Sequence, residues 1–85
     1  MSYEERKQLR LNILEELYSV YFETGKGKVQ EKTRFTDDLE TNLAYQYLIE
    51  KRLIVEASAG GRNYEYRITD MGIDVIEGSV EIQEV

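Results

Sequence analysis

Neither cysteine nor histidine occurs in this 85-residue chain. Without cysteine there is no disulfide framework and no zinc site of the usual kind. Without histidine, most nucleophile–base pairs and most transition-metal sites are excluded too. Long apolar runs are also missing: none approaches the roughly 20 residues that a membrane span needs, and Met1-Ser-Tyr-Glu-Glu-Arg-Lys7 lacks a signal-peptide core. Basic charge is scarce. The formal net charge is −6, which disfavours nucleic acid, because neutralising phosphates supplies most of non-specific affinity. The expectation is a soluble, cytoplasmic, non-enzymatic protein with no cofactor and no metal.

What is present is enough to fold. Hydrophobic residues make up 41% of the chain, and a domain this short buries about 60–65% of its unfolded surface around one modest core. Charge is distributed unevenly. From Asp70 onward come Asp70, Asp74, Glu77, Glu81 and Glu84 with no basic residue, whereas Lys26, Lys28, Lys32 and Arg34 cluster against Glu31 alone.

Residues from Tyr3 to Phe22 read as one amphipathic helix. Leu9, Ile13, Leu17, Val20 and Tyr21 recur at helical spacing, Glu4 and Glu5 suit the positive end of the helix dipole, and Gly25 and Gly27 follow its end. Leu11, Leu14, Tyr18 and Phe22 widen the stripe past half the circumference. That excess has two explanations: a groove that buries both sides of the helix, or a homodimer formed through it.

Lys28 to Phe35 is expected as a short second helix carrying Val29 and Phe35 inward. Thr36, Asp37 or Asp38 then caps a third helix from Leu39 to Lys51. Leu53 to Ala57 and Tyr64 to Ile68 are strand-like, with Tyr64, Tyr66 and Ile68 on one face and Glu65 and Arg67 on the other. Ser58 to Asn63 forms the hairpin tip. Thr69 caps a short last helix with Ile73 and Ile76 inward and Gly72 at a close approach. The acidic tail, residues 79–85, is either a short strand or a frayed end.

Asn42-Leu-Ala-Tyr-Gln-Tyr-Leu-Ile-Glu-Lys-Arg-Leu-Ile-Val-Glu-Ala57 resembles the recognition helix and first wing strand of MarR-like and PadR-like winged-helix regulators. Gly60-Gly-Arg-Asn-Tyr-Glu-Tyr-Arg-Ile-Thr-Asp-Met-Gly72 resembles their wing and the helix start that follows. The resemblance implies an α+β winged helix-turn-helix domain over residues 1–78: a three-helix core, a C-terminal β-hairpin wing and a short fourth helix.

It also implies a transcriptional regulator that binds double-stranded DNA, as a homodimer through the first helix. With Arg52 at the family's usual glycine position, Thr41, Ala44, Tyr45 and Leu48 turn inward, while Glu40, Asn42, Leu43, Gln46 and Tyr47 face outward. Asn42, Gln46 and Tyr47 are then candidates for base contacts, since Asn and Gln pair bidentately with adenine. Lys28, Lys32, Arg34, Arg62 and Asn63 are candidates for the backbone.

The outward face departs from the family. It carries no Lys or Arg, and it holds Leu43. The alternative function is therefore a winged-helix module that binds protein through Leu43 and Tyr47, with Tyr18 and Phe22 as further interface candidates. A plainer explanation makes Leu43 and Tyr47 core residues beneath the second helix.

The remaining constellations are structural. Asp37, Asp38 and Glu40 read as helix capping and not as a Mg²⁺ site. Glu15 and Glu16 are neighbours on a helix and do not share a face.

Overall fold

The computed structural model describes residues 1–31 and 38–78. They form an α+β fold with three helices and one three-stranded antiparallel sheet: α1 (Tyr3–Thr24), β1 (Lys28–Glu31), α2 (Leu39–Glu50), β2 (Ile54–Ser58), β3 (Asn63–Ile68) and α3 (Asp70–Ile76).

Each helix begins at a side chain that satisfies otherwise unpaired amides. Ser2 and Glu5 form a reciprocal capping box on α1: the Glu5 amide donates to Ser2 Oγ at 3.2 Å, and the Ser2 amide donates to Glu5 Oε1 at 3.0 Å. Asp38, one of the three expected caps, accepts from the amides of Glu40 and Thr41. Thr69 accepts from the Gly72 amide at the start of α3. Helix α1 ends on Gly25, whose φ of 72° gives the left-handed turn that glycine adopts without penalty.

The expected second helix is not seen over the described part of its span, residues 28–31. Lys28–Glu31 is a strand paired with β3, Lys28 opposite Tyr66 and Glu31 opposite Asn63, and Val29 is 56% exposed instead of inward. The reason is non-local. Gly27 lies so close to β3 that a Cβ there would strike the Tyr66 carbonyl, and its amide donates to Glu65 Oε2 at 2.9 Å, so the chain is drawn along the sheet edge. Among the described residues there are therefore three helices where four were expected. Phe35, with the rest of 32–37, lies outside the described residues, as does the tail 79–85.

The sheet order is β1-β3-β2, with β2 and β3 forming the hairpin. The core lies between the sheet and the helices: Ile13, Leu14 and Leu17 from α1, Ala44, Tyr45 and Leu48 from α2, Leu53 and Ile54 at the start of the hairpin, and Tyr66 and Ile68 from β3. Ile73 and Ile76 of α3 pack on its margin. The expected alternation in β3 holds over its second half, with Tyr66 and Ile68 buried and Arg67 exposed, whereas Tyr64 and Glu65 are both half-buried. Tyr66 is fully buried, its ring 5.0 Å from that of Tyr45, and its hydroxyl donates to Glu56 Oε2 at 2.7 Å. Burying that phenol is tolerable because its polar end is satisfied.

The joint between α2 and β2 is tightly specified. The Leu53 amide donates to the Leu48 carbonyl and the Arg52 amide to the Ile49 carbonyl, a Schellman arrangement that places Arg52 at φ 62°. Thr69 closes the joint from the other side, its hydroxyl donating to the Arg52 carbonyl at 2.6 Å. Among the described residues no helix is long and apolar enough to cross a membrane.

Candidate docking surface on the second helix

Helix α2 packs with Ala44, Tyr45 and Leu48 buried and Thr41 half-buried, the inward set read from the sequence. At 100° per residue the opposite side carries Leu39, Leu43, Gln46 and Glu50, all exposed. Leu39 is 67% exposed and Leu43 48%, one helical turn apart. An exposed pair of leucines on one ridge costs solvation unless something covers it. Helix α2 contains no lysine or arginine.

Two of the residues expected to face outward turn towards α1. Glu40 forms a bidentate ion pair with Arg6, with contacts of 2.9 and 3.0 Å, because both lie near the point where the first turn of α2 meets α1. The hydrogen bonds from Arg6 hold the Glu40 carboxyl below its ordinary value. Tyr47 is half-buried, with the Arg10 guanidinium 3.9 Å above its ring centroid and Lys51 Nζ at 5.7 Å. As a base-contact candidate Tyr47 is thus placed beside the α1–α2 seam, where it packs, half-buried, against the core. Between the helices, Arg6, Leu9, Arg10, Glu40, Leu43 and Ala44 line a cleft of about 250 Å³, which shares Leu43 with the leucine pair.

The other candidates are scattered. Asn42 and Gln46 sit one turn apart and bond to each other, Gln46 Nε2 donating to Asn42 Oδ1 at 3.3 Å, which leaves the remaining amide groups to solvent. Arg62 is exposed at the hairpin tip beside Gly60 and Gly61, both at positive φ. Asn63 begins β3, half-buried, its amide donating to the Gly60 carbonyl. Lys28 is tied to Glu16 of α1 at 2.6 Å. Lys32 and Arg34 lie outside the described residues. Tyr18 is half-buried, donating from its hydroxyl to Glu77 at 2.9 Å, and Phe22 is 59% exposed.

Sequence reasoning passed over Leu39, reading it only as the first residue of the helix. Its spacing of four from Leu43 was the available signal. It also passed over Arg6 and Arg10, whose partners are more than 30 residues away in sequence and leave no local trace. Comparison of the chain with protein-family models, with curated proteins and with solved structures finds no match.

Proposed function

We propose that this protein is a winged helix-turn-helix module that docks a partner protein through the outer ridge of α2. Three features support the winged-helix reading: the sheet order β1-β3-β2, the β2–β3 hairpin with its glycine tip, and the left-handed Arg52 where the resemblance places glycine. The protein-binding reading is carried by one observation: Leu39 and Leu43 stand exposed on α2, Leu43 at the edge of a cleft that Leu9 and Ala44 line together with Arg6, Arg10 and Glu40. The partner is an amphipathic helix whose leucine-like anchors enter that cleft and whose basic residues meet the exposed Glu50 and the chain's net charge of −6.

Binding of a basic amphipathic helical peptide, measured by calorimetry, tests this. The wild type takes up the peptide, and Leu43→Asp weakens it at least tenfold, about 1.4 kcal/mol, while Arg62→Ala leaves it unchanged. Equal binding by wild type and Leu43→Asp overturns the reading.

A second reading, duplex DNA binding by a transcriptional regulator, is favoured by the paired amides of Asn42 and Gln46 and by the exposed Arg62. It predicts that duplex affinity falls steeply with salt, and that Arg62→Ala reduces that slope by nearly one.

A further inference from the structure

The C-terminal end of α1 carries a contiguous aromatic patch. Tyr18 and Phe22 have ring centroids 4.7 Å apart, and Tyr21 meets Phe22 edge-on at 5.4 Å. Phe22 is 59% exposed. Four residues beyond it, in the turn that follows the helix, stands the exposed Lys26.

Helix α3 delivers the chain to this patch. Glu77, its C-cap, accepts from the Tyr18 hydroxyl at 2.9 Å, and Gly78 takes the left-handed φ of 85° that ends a helix. Residues 79–85, outside the described set, follow at once as Ser-Val-Glu-Ile-Gln-Glu-Val, with Val80, Ile82 and Glu84 each two residues apart.

We infer that residues 79–85 run back along α1 as an intramolecular strap, with Val80 over Tyr18, Ile82 over Phe22 and Glu84 beside Lys26. Spacing selects this register. In an extended chain, residues two apart share a side and lie about 6.7 Å from one another, and four residues of helix advance about 6 Å. Val80, Ile82 and Glu84 therefore keep step with Tyr18, Phe22 and Lys26, while Glu81 and Gln83 turn to solvent. Charge selects it too, since the last step sets a carboxylate against an ammonium. The opposite direction offers neither match. Leu14, four residues before Tyr18, is fully buried and has nothing left to cover, and Arg10, four before that, lies over the Tyr47 ring. Strapped down, the segment masks Phe22 from a protein partner and Lys26 from phosphate; its displacement exposes both. This regulatory contact is independent of the docking proposed for α2.

Cysteine cross-linking in the full chain reads the register, because the chain has no cysteine of its own. A disulfide needs Cα atoms within about 7 Å. The double variant Lys26→Cys/Glu84→Cys, at low micromolar concentration, forms an intramolecular disulfide on mild oxidation and keeps the mass of one chain. Position 7 is the control: it lies about 17 Å from Tyr18 along the helix, within the roughly 20 Å that six extended residues span, so an unstrapped segment reaches it as well. Lys7→Cys/Glu84→Cys forms no disulfide.

In the unsubstituted chain the Phe22 ring shows nuclear Overhauser contacts to the Ile82 methyl groups. Ile82→Asp abolishes them and shifts the Tyr18 and Phe22 signals, while those of the core residue Leu48 stay in place. Disulfides that join two chains, equal cross-linking from positions 7 and 26, or Tyr18 and Phe22 signals that ignore Ile82→Asp would each overturn the inference.

Discussion

Arg52 occupies a backbone conformation that costs an ordinary L-residue about 1–2 kcal/mol, because its Cβ crowds the following carbonyl. The Schellman bonds at Leu53 and Arg52 and the Thr69 hydroxyl together hold it there. Arg52→Gly relieves the crowding and gives back part of the gain as unfolded-state entropy. The expected net is about 0.5–1 kcal/mol of added stability, read as a thermal midpoint higher by a few degrees. Gly72 shows the opposite constraint: a Cβ there would run into the Leu53 carbonyl and the Ile68 side chain. Gly72→Ala is expected to cost about 1–3 kcal/mol, seen as a lower denaturant midpoint with an unchanged slope. Both residues sit at one joint, so the account predicts that changes there alter stability without altering the ridge on α2.

At the scale of elements, α1 and α2 are joined by packing, by the exposed ion pair Arg6–Glu40 and by the Arg10 guanidinium over the Tyr47 ring. Glu40 is held below its ordinary value of 4.5 by the Arg6 hydrogen bonds, and Asp38 below 3.8 by the Thr41 hydroxyl and amide. Carboxyls lowered in the folded state stabilise it above their unfolded values, and that contribution disappears as pH falls through the lower folded ones. The thermal midpoint should therefore stay level from neutrality down to the ordinary carboxylate range and decline below it. Glu40→Gln should remove part of that decline; an identical pH profile in the variant would show that the pair contributes nothing measurable, as many exposed pairs do. Within the core, Leu14 is fully buried, and Leu14→Ala is expected to cost about 2–5 kcal/mol in a denaturation experiment.

Element scale is also where the sequence was most legible. The hairpin showed through the alternation Tyr64, Tyr66, Ile68, and the inward face of α2 through Ala44, Tyr45 and Leu48, because those patterns repeat within a few residues. Strand β1 did not show. Lys28-Val-Gln-Glu31 has one apolar residue, and its conformation is imposed by pairing with β3 more than 30 residues later. The candidate surface was half legible for the same reason: Leu43 could be placed by helical period, whereas the turning of Glu40 and Tyr47 towards Arg6 and Arg10 depends on how α1 crosses α2.

On the scale of the whole molecule, charge favours the proposed protein-docking function over duplex DNA binding. A net charge of −6, an α2 without lysine or arginine, and a Lys28 engaged with Glu16 leave little to neutralise phosphate. The exposed Leu39 and Leu43, beside a cleft lined by apolar and charged residues alike, are what the proposed docking of a protein partner rests on. Amide chemical shifts at near-physiological salt, followed while a basic amphipathic peptide is added and again while duplex DNA is added, compare the alternatives in one sample. The account predicts that the peptide moves Leu39, Leu43, Gln46 and Leu9, and that the duplex moves none of them. Shifts at Asn42, Gln46 and Arg62 on adding the duplex, with no response to the peptide, would contradict it.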